Sequence, residues 1–397
     1  MKTTTFLNNI GIVYFAISCF SCHQPKDNLP SLDLSKNYPE KEILLTDIAD
    51  VTYLHINAND EEYLYSGSIR AVTENTIIIF DWGRSSGEIF FFTIDGIPMS
   101  HFNRMGNGPG EYRNIHRVIY DEKADDLFVV DYWNTIIQVF SSTGRYKREI
   151  DLPDGARMGN DFVSFDNESL FFYDTSREAE RFDMNYKNLP ANILFSPFYL
   201  ISKTDGAVLD HIELPMAPLF LGIYLNGEPV PARSKIRMIK CADGVLLCNP
   251  ESDTVFLYGK DRSLTPVLHK IPPADATNPM TYLNNMVDMG SYQFMEVYTV
   301  QAGAIYPGIF PVKYYMRNKK TGEIFQQKLL LPEYSGKEFT ISPAQTRLVL
   351  ENSIYFELDL LELKEAYTQN RLSGKLKELV AILKEDDNNV YVIAKFK

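Results

Sequence analysis

The sequence is poor in the residues from which catalytic and nucleic-acid sites are usually built. Its 397 residues include 6 His, 4 Cys and 2 Trp, and 39 Lys and Arg stand against 52 Asp and Glu. The formal charge of −13 excludes nucleic acid as a partner, because nothing offsets phosphate repulsion and no basic cluster reverses it. No Gly-x-Ser-x-Gly nucleophile motif occurs, and no paired carboxylates stand at an informative spacing. These absences favour a protein that is not an enzyme, although a site assembled from distant segments leaves no such motif.

Cysteine is too scarce for a disulfide scaffold. The two cysteines outside the N-terminal leader, Cys241 and Cys248, flank an Asp243-Gly244 turn. A two-residue hairpin there places Cys241 opposite Leu246, so the two thiols are not cross-strand partners. We therefore predict two free thiols, and with no histidine nearby they do not form a zinc site.

Long apolar runs are missing except near the N-terminus. A basic residue precedes the apolar stretch 6–20, which is too short to span a bilayer comfortably. The run ends in small residues before cysteine, which resembles a bacterial lipoprotein processing site, with Cys22 or alternatively Cys19 as the lipidated residue. An ordinary cleaved signal peptide is the alternative. We predict a lipoprotein-type signal peptide over residues 1–22, a tether over 23–40, and a stable membrane anchor once several acyl chains are attached.

Aromatic residues are plentiful, at 13% of the chain, with 24 Tyr and 25 Phe. Such side chains favour β structure, because they pack well on pleated surfaces. Short apolar runs bounded by turn residues support this interpretation: residues 76–80 end at Asp81, and residues 127–130 end at Asp131. They are typical of strands buried between layers.

One unit recurs along the chain. It consists of a β-forming run, a two-residue turn ending in glycine, and a second run that closes on apolar-x-apolar-proline. The copies span residues 143–153, 205–215 and 321–332, with a degenerate copy over 260–272 whose glycine is displaced to Gly259, and a fifth turn at Asp95-Gly96. Three or four strands in a unit of roughly 50 to 60 residues is the size of a propeller blade.

The C-terminal end of the chain differs from the rest. Apolar residues at helical spacing predict two short helices, over 360–366 and 376–383. A last strand follows at 390–394, and an early strand at 50–56 likewise has no partner nearby. Because an unpaired strand needs a partner, we predict that these two strands pair and close the ring.

The stretch 101–112 ends one structural unit and begins another, because three glycines and a proline crowd into residues 106–110. It does not form a phosphate loop, since a strand rather than a helix follows and Pro109 removes a donor. We predict a tight crossover between the first and second blades, with Arg104 paired to Glu111 across the turn.

Three features together carry a family resemblance: Arg104-Met-Gly-Asn-Gly-Pro-Gly-Glu-Tyr112, the leader that ends in cysteine, and the ending 383–397. They resemble the six-bladed β-propeller lipoproteins common in gut-dwelling Gram-negative anaerobes, which are similar to NHL-repeat propellers. The resemblance implies an all-β fold and a membrane-anchored position in a Gram-negative cell envelope, periplasmic or surface-exposed, but no established reaction. We predict a six-bladed β-propeller over 41–397, closed by the N- and C-terminal strands and carrying two short C-terminal helices.

The candidate ligand surface combines aromatic residues that follow strand-ending aspartates with the charged residues of the crossover. If equivalent positions in neighbouring blades share one face, these side chains offer stacking area and polar contacts to a glycan or peptide. The alternative is that the aromatic side chains pack between blades. The predicted ligand-binding residues are Trp82, Tyr132, Trp133, Arg104, Glu111, Tyr112 and Arg113.

Two functional hypotheses follow from these observations. The first is a lipid-anchored envelope module without catalytic activity that recognises a peptide, glycan or partner protein on a propeller face, and needs no cofactor. The second is a metal-dependent hydrolase or lyase in the axial channel. It requires the scattered histidines to converge on a divalent cation. Those histidines are His55, His101, His116, His211 and His269.

Overall fold

A computed structural model describes most of the chain, and none of the helices it describes is long and apolar enough to cross a membrane. The described ranges are 29–57, 61–81, 87–113, 115–131, 136–153, 156, 158–174, 193–216, 222–225, 228–231, 238–249, 252–300, 310–342, 350 and 352–397.

The strands form a six-bladed β-propeller, as predicted. Blade 1 contains β4 (Gly67–Val72), β5 (Thr76–Asp81), β6 (Glu88–Thr93) and β7 (Pro98–Asn103), and blade 2 contains β8 (Ile115–Asp121), β9 (Asp126–Asp131), β10 (Ile136–Phe140) and β11 (Tyr146–Asp151). Blade 3 contains β12 (Met158–Ser164), β13 (Ser169–Asp174), β14 (Ile193–Ser202) and β15 (Val208–Met216). A separate hairpin of β16 (Gly222–Leu225) and β17 (Glu228–Pro231) follows.

Blades 4 to 6 complete the ring. Blade 4 contains β18 (Met238–Cys241), β19 (Gly244–Leu247), β20 (Thr254–Gly259) and β21 (Leu264–Ile271), and blade 5 contains β22 (Thr281–Met289), β23 (Tyr292–Thr299), β24 (Val312–Asn318), β25 (Ile324–Leu330) and the short β26 (Glu338–Phe339). Blade 6, over the described part of the chain, contains β27 (Ser353–Leu358), β28 (Val390–Phe396) and β3 (Ala49–His55). Single 3-10 turns lie at Glu61–Tyr63 and Ala274–Ala276.

The second strand of each of the first three blades is buried along its whole length. Every residue of β5, β9 and β13 is buried, including the aspartate that ends each strand. Neighbouring blades cover both faces of such a strand, so a continuous apolar run is stable there and alternation is not needed.

The repeated glycine turns lie between the third and fourth strands of the blades. Gly96, Gly144, Gly206 and Gly322 have φ angles of +80°, +76°, +77° and +74°, in the left-handed region that favours glycine. In the degenerate copy the left-handed position is taken by Arg262, with φ +63°, and not by the displaced glycine.

The ring closes through the two terminal strands that the sequence leaves without local partners. β3 pairs with β28 in antiparallel fashion over seven residues, from Ala49 opposite Phe396 to His55 opposite Val390. The N-terminal part of the chain therefore supplies the outermost strand of the last blade, and the C-terminal part supplies the strands inside it.

Residues 31–33 and 40 lie in strands of the ring and not in the tether that the sequence predicts over residues 23–40. β1 (Ser31–Asp33) adds to the outer edge of blade 4, parallel to β21, and β2 (Glu40–Leu44) adds to the outer edge of blade 5, parallel to β25. Residues 29–44, here called the N-terminal belt, cover two sheet edges that carry unpaired main-chain groups. A short helix, α1 (Leu45–Ile48), then leads into β3.

The two predicted C-terminal helices are present as α2 (Leu360–Thr368) and α3 (Gly374–Ile382), inserted between β27 and β28. Their apolar faces join the core of blades 4 to 6. Glu333 holds α3 in place, because its Oε2 accepts a hydrogen bond from the Leu376 backbone N–H at 2.8 Å and its backbone oxygen accepts one from Ser373 at 3.0 Å.

Cys241 and Cys248 are free thiols, as predicted. The predicted hairpin register is wrong, because Cys241 pairs with Gly244 and not with Leu246. The turn residues are therefore Ala242 and Asp243, one position earlier than predicted. Gly244 lies inside the strand, where an added Cβ would come within 2.1 Å of the Tyr258 carbonyl oxygen. Glycine is needed there for close packing against β20.

Candidate functional site

The crossovers between blades begin the inner strands at the same face where the second strands end. The pairs Gly67 with Asp81, Ile115 with Asp131, and Met158 with Asp174 each join the first residue of an inner strand to the last residue of the second strand. We call this surface the loop face. The inner strands of blades 1 to 3 begin at this face, and their second strands end there.

The stretch around Gly106–Gly110 is the crossover from blade 1 to blade 2, as predicted, and it folds back on itself. The Tyr112 N–H donates to the Arg104 oxygen at 2.9 Å, and the Gly106 N–H donates to the Tyr112 oxygen at 3.0 Å. Gly110 adopts φ +71°, and a Cβ there would meet the ring of Tyr146 at 3.0 Å. The glycines thus allow a compact loop against blade 2.

The predicted ion pair between Arg104 and Glu111 is absent from this loop, because each side chain has another partner. Arg104 Nε donates to the Gly144 oxygen at 3.1 Å, in the turn of blade 2. Glu111 Oε2 accepts from the Gly108 N–H at 2.7 Å. The glutamate therefore closes its own turn, and the arginine fastens the start of the crossover to the next blade.

Tyr112 was predicted to face a ligand, but the structure buries it completely. Its hydroxyl donates to the Gly87 oxygen at 2.7 Å and accepts from the Arg104 N–H at 2.9 Å, while its ring packs edge-on against Phe140. Burial raises the pKa of this phenol well above its ordinary value. Tyr112 is a structural residue of the blade 1–blade 2 interface, since it has no free surface for a ligand.

Arg113 is the crossover residue best placed for binding. Its side chain is exposed, Nε donates to Asn107 Oδ1 at 2.5 Å, and its backbone N–H donates to Asp131 Oδ2 at 2.9 Å. The backbone is therefore fixed, and the exposed guanidinium group suits planar acceptors such as carboxylates.

Gln138 supports this loop from below and was missed by sequence reasoning. It lies on β10, is 2% exposed, and its Nε2 donates to the Glu111 oxygen at 2.9 Å. No local pattern links the two residues, because the contact joins the third strand of blade 2 to a crossover that precedes the blade.

The predicted aromatic residues Trp82, Tyr132 and Trp133 lie outside the described residues. The aspartates that precede them, Asp81 and Asp131, are both fully buried and end the second strands of adjacent blades. Asp81 and Asp131 therefore occupy equivalent positions in blades 1 and 2, at the loop face.

The histidines do not converge as the metal hypothesis requires. His101, His211 and His269 lie on the fourth strands of blades 1, 3 and 4, and His55 lies on β3, the outermost strand of blade 6. His101 Nδ1 contacts Glu88 Oε1 at 2.7 Å, and His269 Nδ1 contacts Thr254 Oγ1 at 2.9 Å. His116 is on an inner strand, and its side chain is outside the description. Over the described ranges, no group of three or more His, Cys, Asp or Glu side chains is arranged to hold a metal ion.

Two glutamates were also missed: Glu296 is buried, and Glu357 is exposed overall with a partly desolvated carboxyl. Counting from the turn before the second strand, Glu296 of blade 5 and Glu357 of blade 6 occupy the position of Phe80 in blade 1. Burial raises the pKa of both carboxyls, although Asn284 donates to Glu296 at 2.7 Å and Asn389 donates to Glu357 at 2.8 Å. An alignment of the blades by their turns would have revealed them.

Comparisons with known proteins agree with the architecture. An exported-protein candidate from Bacteroides fragilis NCTC 9343 is 16% identical, with a TM-score of 0.60 over 92% of this chain and 99% of its own. A member of the DUF4221 family from Bacteroides vulgatus is 10% identical, with a TM-score of 0.44 over 88% of this chain and 97% of its own. A virginiamycin B lyase from Staphylococcus aureus is 12% identical, with a TM-score of 0.38 over 77% of this chain and 82% of its own. At 16% identity the likeness to the Bacteroides fragilis protein concerns the fold alone.

No curated protein matches the chain. The model of a family described as a domain of unknown function, DUF4934, matches residues 29–395. Since that match spans nearly the whole sequence, the chain belongs to the DUF4934 family.

Proposed function

We propose that this protein is a lipid-anchored binding module of the cell envelope that recognises a glycan, peptide or partner protein on the loop face of blades 1 and 2. One observation carries the proposal. The backbone N–H of Arg113 donates to Asp131, the residue that directly precedes Tyr132 and Trp133 in the sequence. The crossover therefore holds an exposed cation beside the end of the strand that leads to these two aromatic residues.

This arrangement suits recognition rather than catalysis of a known type. Aromatic side chains supply large, rigid contact area at low entropic cost, and an arginine supplies directional hydrogen bonds. The backbone that holds them is a set of buried strands, so binding would not need to order the scaffold. Arg104 and Glu111 contribute by fixing the loop, as their hydrogen bonds indicate.

The membrane anchor of the proposal comes from the leader, in which Cys22, or alternatively Cys19, follows an apolar run and small residues. The kinship with an exported-protein candidate from Bacteroides fragilis supports an envelope location in a Gram-negative cell. We also propose that the ring is similar to NHL-repeat propellers and that the protein lies in the periplasm or at the cell surface.

The test is a glycan and peptide array screened with the soluble form that lacks residues 1–22. Arg113→Ala, Trp82→Ala and Trp133→Ala are compared with the parent protein for each ligand found. Loss of a central arginine or tryptophan contact costs about 2 kcal/mol or more, which weakens binding by a factor of about 30.

Lys123→Ala is the matched control, because Lys123 is exposed in the turn at the opposite end of the same blade. It should leave the affinity unchanged. If a ligand binds and none of the three loop-face substitutions weakens it, the proposed surface is wrong. If no glycan, peptide or envelope protein binds at all, the binding function itself is wrong.

A further inference from the structure

The N-terminal belt determines where the chain leaves the ring toward its anchor. We propose that blade 4 is the edge of the ring nearest the membrane, that the ring stands on this edge, and that blade 1 points away from the bilayer. The inference rests on the lipid anchor of the proposed function and adds to it the orientation in which the candidate surface is presented.

The exit point at blade 4 is firmly held. The His269 N–H donates to the Pro30 oxygen at 2.8 Å, and β1 continues the pairing along β21. Leu32 is fully buried in the core shared by blades 4 to 6. Beside it Lys270, also fully buried, pairs with Asp253 at 2.9 Å. The chain therefore joins the ring at a fixed point on its outer edge.

The link between this point and the anchor is short. Leu29 follows Cys22 by seven residues. A fully extended chain of that length spans about 25 Å, and the alternative anchor at Cys19 would extend the link to about 35 Å. Either link is short enough to keep the edge of blade 4 close to the bilayer surface.

The order of the blades then determines which blade is farthest from the bilayer. Apolar clusters join blade 1 to blade 2, blade 2 to blade 3, blade 3 to blade 4, and blade 6 to blade 1. A fifth apolar cluster unites blades 4, 5 and 6. In a ring of six blades in this order, blade 1 lies directly opposite blade 4.

Charge favours a standing ring over a flat one. The net charge becomes −14 once residues 1–21 are removed, because Lys2 is the only charged residue among them. Anionic lipid headgroups repel a protein with this excess of carboxylates. The ring lowers this repulsion by meeting the bilayer with one edge and not with a whole face, so the surface on blades 1 and 2 is presented to molecules away from the bilayer.

The chain offers a built-in set of reporter positions for a test. The residue before the left-handed position of each turn is exposed in blades 1 to 5, and the positions are structurally equivalent. Single cysteines at these positions, in a Cys241→Ser background, would carry a donor fluorophore on the full lipidated protein. The substitutions are Asp95→Cys, Thr143→Cys, Asp205→Cys, Asp261→Cys and Thr321→Cys.

Energy transfer is measured to rhodamine-labelled lipid in vesicles of phosphatidylethanolamine and phosphatidylglycerol. We expect the highest efficiency at position 261, intermediate values at 205 and 321, a lower value at 143 and the lowest at 95. Equal efficiency at all five positions on vesicle-bound protein would overturn the orientation while leaving the anchor intact. Protein that does not float with vesicles, like a Cys22→Ser, Cys19→Ser control, would overturn both the orientation and the anchor.

Discussion

Blades 1 to 3 and blades 4 to 6 form the two halves of one ring but are held together differently. Between blades 1, 2 and 3 each interface has its own apolar cluster. Blades 4, 5 and 6 share one continuous cluster, which also includes Leu32 of the belt and the apolar faces of α2 and α3. Both terminal regions are thus built into one half of the ring. The other half carries the crossover that presents Arg113.

Removing the last strand should have the largest effect on the stability of the ring. Deletion of residues 388–397 takes away β28, which pairs with β27 on one side and β3 on the other and buries Val390, Val392 and Ala394. We expect loss of the cooperative thermal transition or a shift to oligomers in size-exclusion chromatography, because two strand edges become exposed. A truncated monomer with an unchanged melting curve would contradict ring closure by β28.

The belt should also contribute strongly, although the sequence reads as a tether. Leu32→Ala empties a fully buried position and should lower the free energy of unfolding by about 2–5 kcal/mol. Leu44→Ala, at a belt residue that is 40% exposed, should stay within about 0.5 kcal/mol of the parent protein. Urea unfolding of both variants is the measurement. Equal, small effects would show that the belt is not part of the core.

In blades 1 to 3, Tyr112→Phe tests whether the buried hydroxyl of Tyr112 holds the crossover in place. The substitution leaves the Gly87 oxygen and the Arg104 N–H without their partner, which should cost about 1–3 kcal/mol. Tyr146→Phe is the control, because that tyrosine is 41% exposed and should tolerate the change. Chemical denaturation distinguishes them, and a neutral Tyr112→Phe would mean that the loop is held by its glycines alone.

The smallest expected effects are on the pH dependence of stability, and they have opposite signs in the two halves of the ring. Burial raises the pKa of the Glu296 carboxyl, so its contribution to stability is present below the unfolded-state pKa and is lost as pH rises through the folded-state pKa. At Asp126 burial acts in the same direction, but hydrogen bonds from Arg148 and Lys147 outweigh it and lower the pKa. Its contribution is present above the unfolded-state pKa and is lost as pH falls.

Glu296→Gln should therefore gain stability relative to the parent protein between about pH 4 and pH 8, by about 1.4 kcal/mol per unit of pKa change. Asp126→Asn should behave in the opposite way, with its largest loss at neutral pH. Unfolding free energies over this pH range test both variants. Parallel pH profiles for the two variants would refute the assigned directions.

The sequence predicted local features of the fold well, because they are determined by neighbouring residues. The left-handed glycines at Gly96 and Gly144 follow from a two-residue turn, and the buried strands ending at Asp81 and Asp131 follow from apolar runs. Pairing of the terminal strands was also predictable, since each lacked a local partner.

Features that depend on distant contacts were not predictable in this way. The belt looks like a polar linker because parallel strand addition uses main-chain hydrogen bonds, which leave little trace in side-chain pattern. Tyr112 was assigned to a ligand surface because it is an aromatic residue of the crossover between two blades. Its burial depends on Gly87 and Phe140, which lie in other parts of the two blades. The orientations of Arg104 and Glu111 depend on similar contacts.

The pairing of β3 with β28 has a consequence for the order of folding. β3 is among the first strands to be synthesised, yet its partner is almost the last segment of the chain. Until β28 has been synthesised, residues 49–55 therefore have an unpaired strand edge. Blades 1 to 5 can form during this time, before the ring closes. Such contacts of very high sequence separation slow folding and lengthen the time during which a chain is prone to aggregate. Ring closure by β28 therefore ends the period in which the chain is most prone to aggregate.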